Sequence, residues 1–322
     1  MKILVVGGAG YIGSHMTLML REAGHDALVL DDLSSGRREA LMGAPLVVGS
    51  IADAGLLDQV LAEEAVDGVM HFASFIQVGE SVREPAKYYR NNFVNTLKLL
   101  DAMVRHDVRR FIFSSSAAVY GNPERVPIDE QTAARPINPY GRTKWMVEQA
   151  LRDYSSAYRM NSVCLRYFNA AGADPLARIG ECHEPESHLI PLVLEVAAGH
   201  RPSIQVFGRD YDTPDGTCVR DYIHVVDLCA AHLSAMQMLV DGGESTAYNL
   251  GNGEGFSVQQ VIDTARRVTG CDVRIAEAPR RAGDPPRLVA DSSRIRRELG
   301  WSPRYADLEA MIAHAWAWER GN

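Results

Sequence analysis

A glycine-rich turn near the amino terminus constrains the fold of this 322-residue chain more than any other feature. Residues 3–6 form an apolar run, and Gly7, Gly10 and Gly13 follow in a G-x-x-G-x-x-G pattern that opens an amphipathic segment. The first glycine of such a pattern permits a tight turn, and the third lets a helix pack closely on a strand. The pattern therefore predicts a buried strand that turns directly into a helix.

The rest of the first half repeats this strand–helix order. Continuously apolar runs, typical of parallel strands covered on both faces, lie at 27–30, 46–48, 68–72 and 111–114. Amphipathic segments that predict helices lie at 13–22, 53–63 and 92–105. The alternation predicts an α/β fold, namely a Rossmann-type doubly wound parallel sheet with right-handed crossovers.

The glycine turn also indicates a ligand. The second glycine lets a pyrophosphate approach the backbone, and the phosphate charge then lies at the helix N-terminus. Asp31 and Asp32 end the second predicted strand about twenty residues on, where a carboxylate can accept both ribose hydroxyls of NAD and repel the 2′-phosphate of NADP. Arg37 and Arg38 are the only hint towards NADP, and we interpret them as a solvated loop. We predict NAD binding over the alternative of a ligand-free turn.

The second half of the chain has a different texture. Residues 171–220 are rich in glycine, proline and charge, and strand–helix texture returns around 222–238 and 248–250. Helices are predicted at 191–198, 257–268 and 307–319, with Ser257 as an N-cap. We predict an NAD-binding Rossmann domain over 1–170, to which the chain returns at about 220–255. Residues 171–322 are predicted to form mainly a smaller mixed α/β substrate-binding lobe.

Tyr140 and Lys144 are four residues apart, a spacing that places both on one face of a helix. A phenol titrates near pH 10, so a tyrosine base needs a nearby positive charge, which a lysine ammonium and the nicotinium ring of NAD both supply. The tyrosine can then take a proton from a substrate hydroxyl while hydride leaves to the nicotinamide. A surface pair on an ordinary helix is the alternative. The serines at 114–116, which end a predicted strand, favour an active site, because ligands bind beyond the carboxyl ends of such strands.

Charge and cysteine content limit the partners of the chain. Its net charge of −8 disfavours nonspecific nucleic-acid binding, which depends on neutralising phosphates, but does not exclude an anionic small ligand. The five cysteines are scattered and odd in number, as expected for reduced thiols. There is no signal-peptide pattern and no apolar run near the ~20 residues that a membrane span needs. We expect a cytoplasmic protein without nucleic-acid or membrane partners.

Short motifs spread along the whole chain point to a known enzyme family. They are GGAGYIGSH at 7–15, HFASFIQVGESV at 71–82, NN at 91–92, SSSAAVYG at 114–121, YGRTK at 140–144, LRYFNAAGA at 165–173, DGTCVRDYIHVVDL at 215–228, YNLGNG at 248–253 and RRAGDPP at 280–286. With these motifs the chain resembles the extended short-chain dehydrogenase/reductase superfamily and, more narrowly, the UDP-glucose 4-epimerases. The glycine and Tyr-Lys motifs mark the superfamily only, whereas RYFNAAGA and GTCVRDYIHV are much closer to the epimerases.

The resemblance implies a UDP-sugar substrate that is oxidised at C4, turned over as a 4-keto intermediate and reduced again from the other face. It implies that Tyr140 is the base and acid, that Lys144 orients it and binds the nicotinamide ribose, and that Ser116 holds the sugar hydroxyl. The predicted NAD-binding residues are Gly7, Gly10, Tyr11, Ile12, Gly13, Asp31, Asp32, Ser50, Ile51, Phe72, Ala73, Ser74, Asn91, Ser114, Tyr140, Lys144 and Phe168. The predicted substrate-binding residues are Ser116, Tyr140, Asn169, His188, Leu189, Gln205, Phe207, Arg220, Arg281 and Asp284. A homodimer through helices at 92–105 and 140–158 is also implied.

Three positions depart from the family pattern. Ser50 and Ile51 stand where the family often has an aspartate beside the adenine, and Ile76 stands where a lysine can approach the cofactor. Leu288 stands where a tyrosine or a smaller residue can line the sugar pocket. This last departure leaves epimerases of UDP-N-acetylglucosamine or of a UDP-pentose open as alternatives.

Other functions within the superfamily are less well supported. Nucleotide-sugar 4,6-dehydratases and decarboxylases usually carry acidic residues just after the strand-end Ser/Thr, where this chain has Ala117 and Ala118. A net dehydrogenase that releases NAD(H) is a weaker alternative. A non-catalytic NAD-binding scaffold is disfavoured because Ser116, Tyr140 and Lys144 are all present.

The segment from Cys182 to His188 contains ligand types that suit zinc. Its spacing matches no standard zinc finger. We interpret it as a polar loop before a helix and predict no metal site.

Overall fold

The predicted apolar runs form the centre of the fold in a computed structural model, which describes residues 1–281 and 284–321. The strands are β1 (Lys2–Val6), β2 (Asp26–Asp31), β3 (Leu46–Val48), β4 (Gly68–His71), β5 (Arg110–Ser114), β6 (Asn161–Tyr167), β7 (Asn169–Ala171), β8 (Ile204–Phe207), β9 (Val219–Arg220), β10 (Tyr222–His224), β11 (Thr246–Leu250), β12 (Phe256–Ser257), β13 (Ile275–Ala278) and β14 (Arg287–Leu288).

Helices connect these strands and cover the sheets that they form. They are α1 (Tyr11–Glu22), α2 (Ala54–Glu63), α3 (Val78–Arg83), α4 (Pro85–Tyr88), α5 (Asn95–Arg105), α6 (Pro139–Tyr158), α7 (Leu189–Ala197), α8 (Val225–Val240), α9 (Val258–Thr269), α10 (Ser293–Leu299) and α11 (Leu308–Glu319). A π-helical turn at Tyr89–Val94 leads into α5, and 3₁₀ turns lie at Arg38–Leu41 and Ala117–Tyr120. No helix in the described ranges has both the length and the hydropathy that crossing a bilayer requires.

The main sheet has seven parallel strands in the order β3-β2-β1-β4-β5-β6-β11. The Rossmann-type doubly wound sheet predicted from the sequence is therefore confirmed. The chain reverses its direction of winding between β1 and β4, and such a switch point opens a crevice beyond the carboxyl ends of the strands. The glycine turn after β1 and the segment after β4 border this crevice.

Successive side chains of the strands pack on opposite faces of the sheet, so the apolar core is divided between the two faces. Ile3 and Val5 of β1 pack on one face in a cluster that includes residues of α1 and α8. Leu4 and Val6 pack on the other face with residues of α2, α5 and α6. Since successive side chains of a strand point to opposite faces, a continuously apolar strand is buried on both.

Smaller sheets accompany the second half of the chain. β7 pairs with β10, β9 lies between β12 and β14, and β8 pairs with β13. The last pair packs with α7, α9 and α11 around a separate apolar core. β11 pairs instead with β6 in the main sheet. A division of the chain at residue 170 stays a prediction.

Two of the elements that differ from the sequence prediction are α5 and β6. The helix predicted at 92–105 is α-helical only from Asn95, because a π-helical turn precedes it. Strand β6 is absent from the predicted runs because its sequence, NSVCLRY, contains polar residues. One of them, Arg166, is buried through an ion pair with Glu148 on α6, a partner that no local pattern reveals.

Asp221, between β9 and β10, holds several segments of the second half together. Its fully buried carboxylate accepts hydrogen bonds from the backbone N–H groups of Asn252 (2.8 Å), Ala290 (3.0 Å) and Gly253 (3.2 Å). Burial raises the pKa of Asp221 to about 6, against the opposing effect of these bonds. The carboxylate thus joins the start of β10 to the segments that follow β11 and β14.

Replacing Asp221 with asparagine is expected to destabilise the fold. An amide has one acceptor oxygen, so its NH₂ group would face a backbone N–H whichever way it is turned. We expect Asp221→Asn to lower the free energy of unfolding by about 1–3 kcal/mol, the cost of an unsatisfied buried donor. Asp241→Asn, at an exposed site, is the matched control. Equal urea unfolding curves for the two variants would contradict the assignment.

Candidate active site

The glycine turn after β1 has the shape that a phosphate-bearing ligand needs. A Cβ on Gly7, whose φ is +79°, would lie 2.4 Å from the Ala73 nitrogen, and a Cβ on Gly13 would lie 2.1 Å from the Gly7 oxygen. Packing within the protein therefore requires both glycines. A Cβ on Gly10 would meet only the Gly7 oxygen, at 3.5 Å, so the bare backbone of Gly10 leaves open space.

The N-terminus of α1 complements a negative charge at this turn. Gly10 is its N-cap, so no side chain bonds to the first N–H groups, and the first turn contains no acidic residue. Uncapped N–H groups and the helix dipole favour an anion at this position. The site thus fits the pyrophosphate of a dinucleotide, with Tyr11 and Ile12 in the first turn of the same helix.

Asp31, at the end of β2, is bonded to the glycine turn. Its carboxylate oxygens accept hydrogen bonds from the Ala9 N–H (2.9 Å) and the Leu33 N–H (2.8 Å). Burial of this side chain raises its pKa despite the two bonds. Asp32 is exposed, and so are Arg37 and Arg38. Asp31 is therefore the carboxylate that is fixed beside the turn.

Further predicted cofactor residues follow β3 and β4. Ile51 is buried in the apolar core, while the Ser50 hydroxyl accepts a hydrogen bond from the Ala52 N–H at 3.3 Å. The N–H groups of Phe72 and Ala73 both donate to the Val6 carbonyl of β1. The backbone after β4 thus runs along the glycine turn, and Ser74 continues this segment.

Asn92 is a residue that the sequence analysis missed. It lies in the π-helical turn beside the predicted Asn91, and its buried side chain bonds to both the N–H and the carbonyl of Phe75 at 2.9 Å. These two hydrogen bonds hold the segment that follows β4 in place. The NN motif drew attention to this place, but no local signal distinguished the structural asparagine from its neighbour.

The fold brings Ser116, Tyr140 and Lys144 to the carboxyl end of β5. The Lys144 Nζ donates to the Ser114 carbonyl at 2.8 Å and lies 5.8 Å from the centroid of the Tyr140 ring. The Asn138 side chain caps α6 by accepting from the Gly141 N–H at 2.8 Å, so Tyr140 lies in the first turn of the helix. The Ser116 hydroxyl accepts from the Ala118 N–H at 3.1 Å and caps the 3₁₀ turn.

Burial shifts the pKa values of Lys144 and Tyr140 in this site. Burial lowers the pKa of Lys144 to about 7, with Glu148 opposing the shift. Burial also raises the pKa of Tyr140, with Ser116 opposing. Desolvation therefore outweighs the other effects on both side chains, and the Lys144 Nζ donates to a carbonyl and not to the phenol. That Tyr140 is the base, with Lys144 and a bound nicotinium ring favouring its phenolate, stays a prediction.

A buried network supports the catalytic candidates from behind. Glu148, one turn after Lys144 on α6, accepts from the Ser115 hydroxyl at 2.6 Å and pairs with Arg166 of β6 at 2.5 Å. The Arg166 guanidinium also donates to the Tyr120 hydroxyl at 2.8 Å, and that hydroxyl donates to Asn249 at 2.6 Å. The sequence analysis did not identify this network, although the i, i+4 spacing of Lys144 and Glu148 was visible.

Four predicted substrate residues form a chain of contacts beside the small sheets. Arg220 pairs with Asp284 at 2.5 Å, and the Asp284 N–H donates to the Arg281 carbonyl at 3.3 Å. The Arg281 guanidinium lies 3.9 Å from the centroid of the Phe207 ring. Residues 282 and 283 of the motif at 280–286 lie outside the described residues.

The remaining predicted substrate residues lie around this chain of contacts. The Asn169 amide donates to the Asp221 carbonyl at 2.8 Å. Leu189 starts α7 and packs on the third core, His188 bonds to Glu181, and Gln205 is exposed on β8.

Leu288 contacts both the strand that carries Arg220 and the cluster beside the Ser116 turn. It pairs with Arg220 between β14 and β9, and it packs on the buried cluster that contains Ala117 and Tyr120. Phe168 packs against the same cluster. The strand that carries Arg220 therefore lies next to the turn that Ser116 caps. That turn and the glycine turn both follow the carboxyl ends of strands in the main sheet.

Comparison with known proteins agrees with this geometry. Residues 3–251 match the model of the NAD dependent epimerase/dehydratase family. The chain is 51% identical to a UDP-glucose 4-epimerase of Halalkalibacterium halodurans over 320 residues, covering 99% of this chain and 96% of the relative. It is 52% identical to a UDP-glucose 4-epimerase of Rhizobium meliloti over 317 residues, covering 98% and 96%.

A solved structure extends the likeness to three dimensions. The crystal structure of UDP-glucose 4-epimerase from Brucella ovis in complex with NAD superposes with a TM-score of 0.96 at 48% identity, covering 98% of this chain and 97% of that one. The chain belongs to the NAD dependent epimerase/dehydratase family.

Proposed function

We propose that this protein interconverts UDP-glucose and UDP-galactose by NAD-dependent epimerisation at C4 of the sugar. The observation that carries the proposal is the group of Ser116, Tyr140 and Lys144 at the carboxyl end of β5, beside a glycine turn shaped for a dinucleotide. Full-length relatives at about half identity bear the name of this activity.

The residues along the carboxyl edge of the sheet are suited to holding NAD. Gly7, Gly10 and Gly13, with the start of α1, would take the pyrophosphate, and Asp31 would take the adenosine ribose. Lys144 would bind the nicotinamide ribose. When bound, NAD supplies an acceptor and donor of hydride at the sugar carbon.

Tyr140 and Ser116 would handle the sugar oxygen. Tyr140 takes the proton from the C4 hydroxyl as the carbon is oxidised and returns it when the carbon is reduced. Ser116 donates a hydrogen bond that holds the oxygen throughout. Burial raises the pKa of Tyr140, so this role would depend on the positive charge that a bound nicotinium ring brings to favour the phenolate.

The lobe residues are suited to a UDP group. Arg220 and Arg281 present guanidinium forks that match phosphate oxygens. Phe207 offers an apolar face for the uracil ring, and Asn169 lies at the start of β7, where its amide donates to the Asp221 carbonyl. Binding through these nonreacting parts would retain the 4-keto intermediate while it turns over.

Ala117 and Ala118 distinguish this reaction from its relatives. They form the 3₁₀ turn immediately after Ser116, and neither offers an acid for water elimination. An epimerase needs only the single reversible proton exchange at Tyr140. The site chemistry therefore favours epimerisation over dehydration.

We also propose that the protein is a homodimer through α5 and α6. Two large side chains are exposed at the ends of these helices. Val94, just before α5, is 45% exposed, and Tyr158, at the end of α6, is 46% exposed. Sedimentation analysis of the purified protein is expected to give twice the chain mass, and a monomer at all concentrations would contradict this arrangement.

Purified protein incubated with UDP-galactose is expected to yield UDP-glucose with at most catalytic amounts of added NAD. Chromatography of the released sugars measures the conversion. Absorbance at the nicotinamide band should not rise in proportion to product, as it would for a net dehydrogenase. Recovery of unchanged substrate even with NAD supplied would contradict the proposal.

Tyr140→Phe is expected to lower turnover by roughly 100-fold or more, because it removes the proton-transferring hydroxyl. UDP binding, measured by calorimetry, should stay close to that of the wild type. Tyr158→Phe makes the same change at the far end of α6 and serves as the control. Normal turnover of Tyr140→Phe would show that another group is the base.

Lys144→Met is expected to be more stable than the wild type at pH 6 in cofactor-free protein. The folded-state pKa of about 7 lies below the ordinary lysine value of 10.5, so the unfolded chain binds more protons between these values. Wild-type stability therefore rises with pH over this window, and the advantage of the variant should shrink by pH 9. Urea unfolding at both pH values measures this, with Lys98→Met as the control. A pH-independent difference would contradict the shifted pKa.

A further inference from the structure

The loop between β7 and α7 brings four ligand-type side chains together. Glu181, His183, Glu186 and His188 each offer one nitrogen or carboxylate oxygen, and these four atoms all lie within 4.8 Å of one another. The spacing E-x-H-x-x-E-x-H matches no standard finger, which is why the sequence analysis assigned no metal here. The folded loop creates a juxtaposition that the spacing did not reveal.

The distances in this cluster are those of a small cation site. The His183 Nδ1 lies 2.9 Å from the Glu181 carboxylate and 3.9 Å from the Glu186 carboxylate. The His188 Nδ1 lies 2.5 Å and 3.6 Å from the same two groups. A tetrahedral ion with bonds of about 2.0–2.1 Å holds its ligand atoms roughly 3.3 Å apart, within the range observed. Side-chain movements of about 1 Å would bring all four ligand atoms to this spacing.

The charges of the cluster favour a cation. The side chains of Glu181 and Glu186 are 7% and 8% exposed. Within the described part of the chain, their ion pairs are with the two histidines and with no lysine or arginine. Two carboxylates therefore lie buried in one cluster, and a divalent cation between them would compensate their charge.

One ligand atom is also without a hydrogen bond. The His183 Nδ1 is inaccessible to solvent and, although it lies 2.9 Å from a Glu181 oxygen, it makes no hydrogen bond of good geometry with any described residue. A buried nitrogen lone pair without a donor is costly in an ordinary loop and is explained when it coordinates an ion.

The surrounding structure fixes the backbone of the cluster. The Trp318 indole of α11 donates to the Glu181 carbonyl at 3.1 Å, and the Tyr11 ring of α1 contacts the His183 ring edge-on at 6.3 Å between centroids. The cluster therefore lies between the start of α1 and the start of α7.

We propose that Glu181, His183, Glu186 and His188 bind one divalent transition-metal ion, with Zn²⁺ the best match for two imidazoles and two carboxylates. Four protein ligands close the coordination shell, so the ion is structural and takes no part in the sugar chemistry. It fixes the loop that leads into His188 and Leu189 at the start of α7.

The test uses the full-length, tag-free holoprotein, because a polyhistidine tag would bind the same ions. After dialysis against a chelator, Zn²⁺ is titrated by calorimetry, and Co²⁺ is followed by its visible d–d absorption. We expect about one ion per chain, a tetrahedral Co²⁺ spectrum that Zn²⁺ abolishes, and a rise in melting temperature on Zn²⁺ binding.

Two conservative variants locate the site. His183→Gln and Glu186→Gln should each weaken Zn²⁺ binding by roughly tenfold or more and lose the Zn²⁺-dependent rise in melting temperature. His200→Gln, at an exposed histidine paired with Glu319, should bind as the wild type does. Glutamine keeps the size and polarity, so the fold of each variant is checked by circular dichroism.

Several results would overturn the proposal. Wild-type protein that takes up well under one ion per chain would show that the histidines balance the carboxylates by protonation alone. Variants that bind Zn²⁺ as tightly as the wild type would place the ion elsewhere. If neither variant folds, an octahedral Co²⁺ spectrum of the wild type would still exclude the four-ligand site. Loss of epimerase activity with normal metal binding would count only against the proposed function.

Discussion

The buried ion pair between Glu148 and Arg166 holds together the segments from which the candidate active site is built. Glu148 lies one turn after Lys144, and Arg166 lies on strand β6 of the main sheet. Through Ser115 and Tyr120 the same pair reaches the end of β5 and the 3₁₀ turn that Ser116 caps. Breaking such a pair by removing one partner leaves an uncompensated buried charge, so α6 cannot shift along the sheet without a large cost.

The glycine turn imposes a second constraint at the same edge of the sheet. Gly7 and Gly13 allow contacts that a Cβ would prevent, which brings β1, α1 and the segment after β4 together. Asp31 and Asn92 then fix the neighbouring loops through backbone hydrogen bonds. In each loop a buried side chain satisfies backbone groups: Asp31 accepts from N–H groups, and Asn92 bonds to both the N–H and the carbonyl of Phe75.

The second half of the chain depends on a similar buried carboxylate. Asp221 accepts hydrogen bonds from backbone N–H groups in the segments after β11 and β14, which positions β9 and β14 beside the Ser116 turn. Leu288 and Phe168 pack against that turn, so a bulky apolar side chain lies where the second half of the chain meets the end of β5.

The sequence by itself determined the parallel α/β sheet, the glycine turn and the places of Ser116, Tyr140 and Lys144, because these follow from local periodicity, backbone conformation and motif spacing. The start of α9 at Ser257 was equally visible, since an N-cap acts within one turn. Only the tertiary structure decided the burial of Arg166 in β6, the clamps made by Asn92 and Asp221, the pKa of Lys144 and the meeting of Glu181 with His188. Each of these depends on desolvation or on a partner supplied by another segment, and neither quantity exists until the chain has folded.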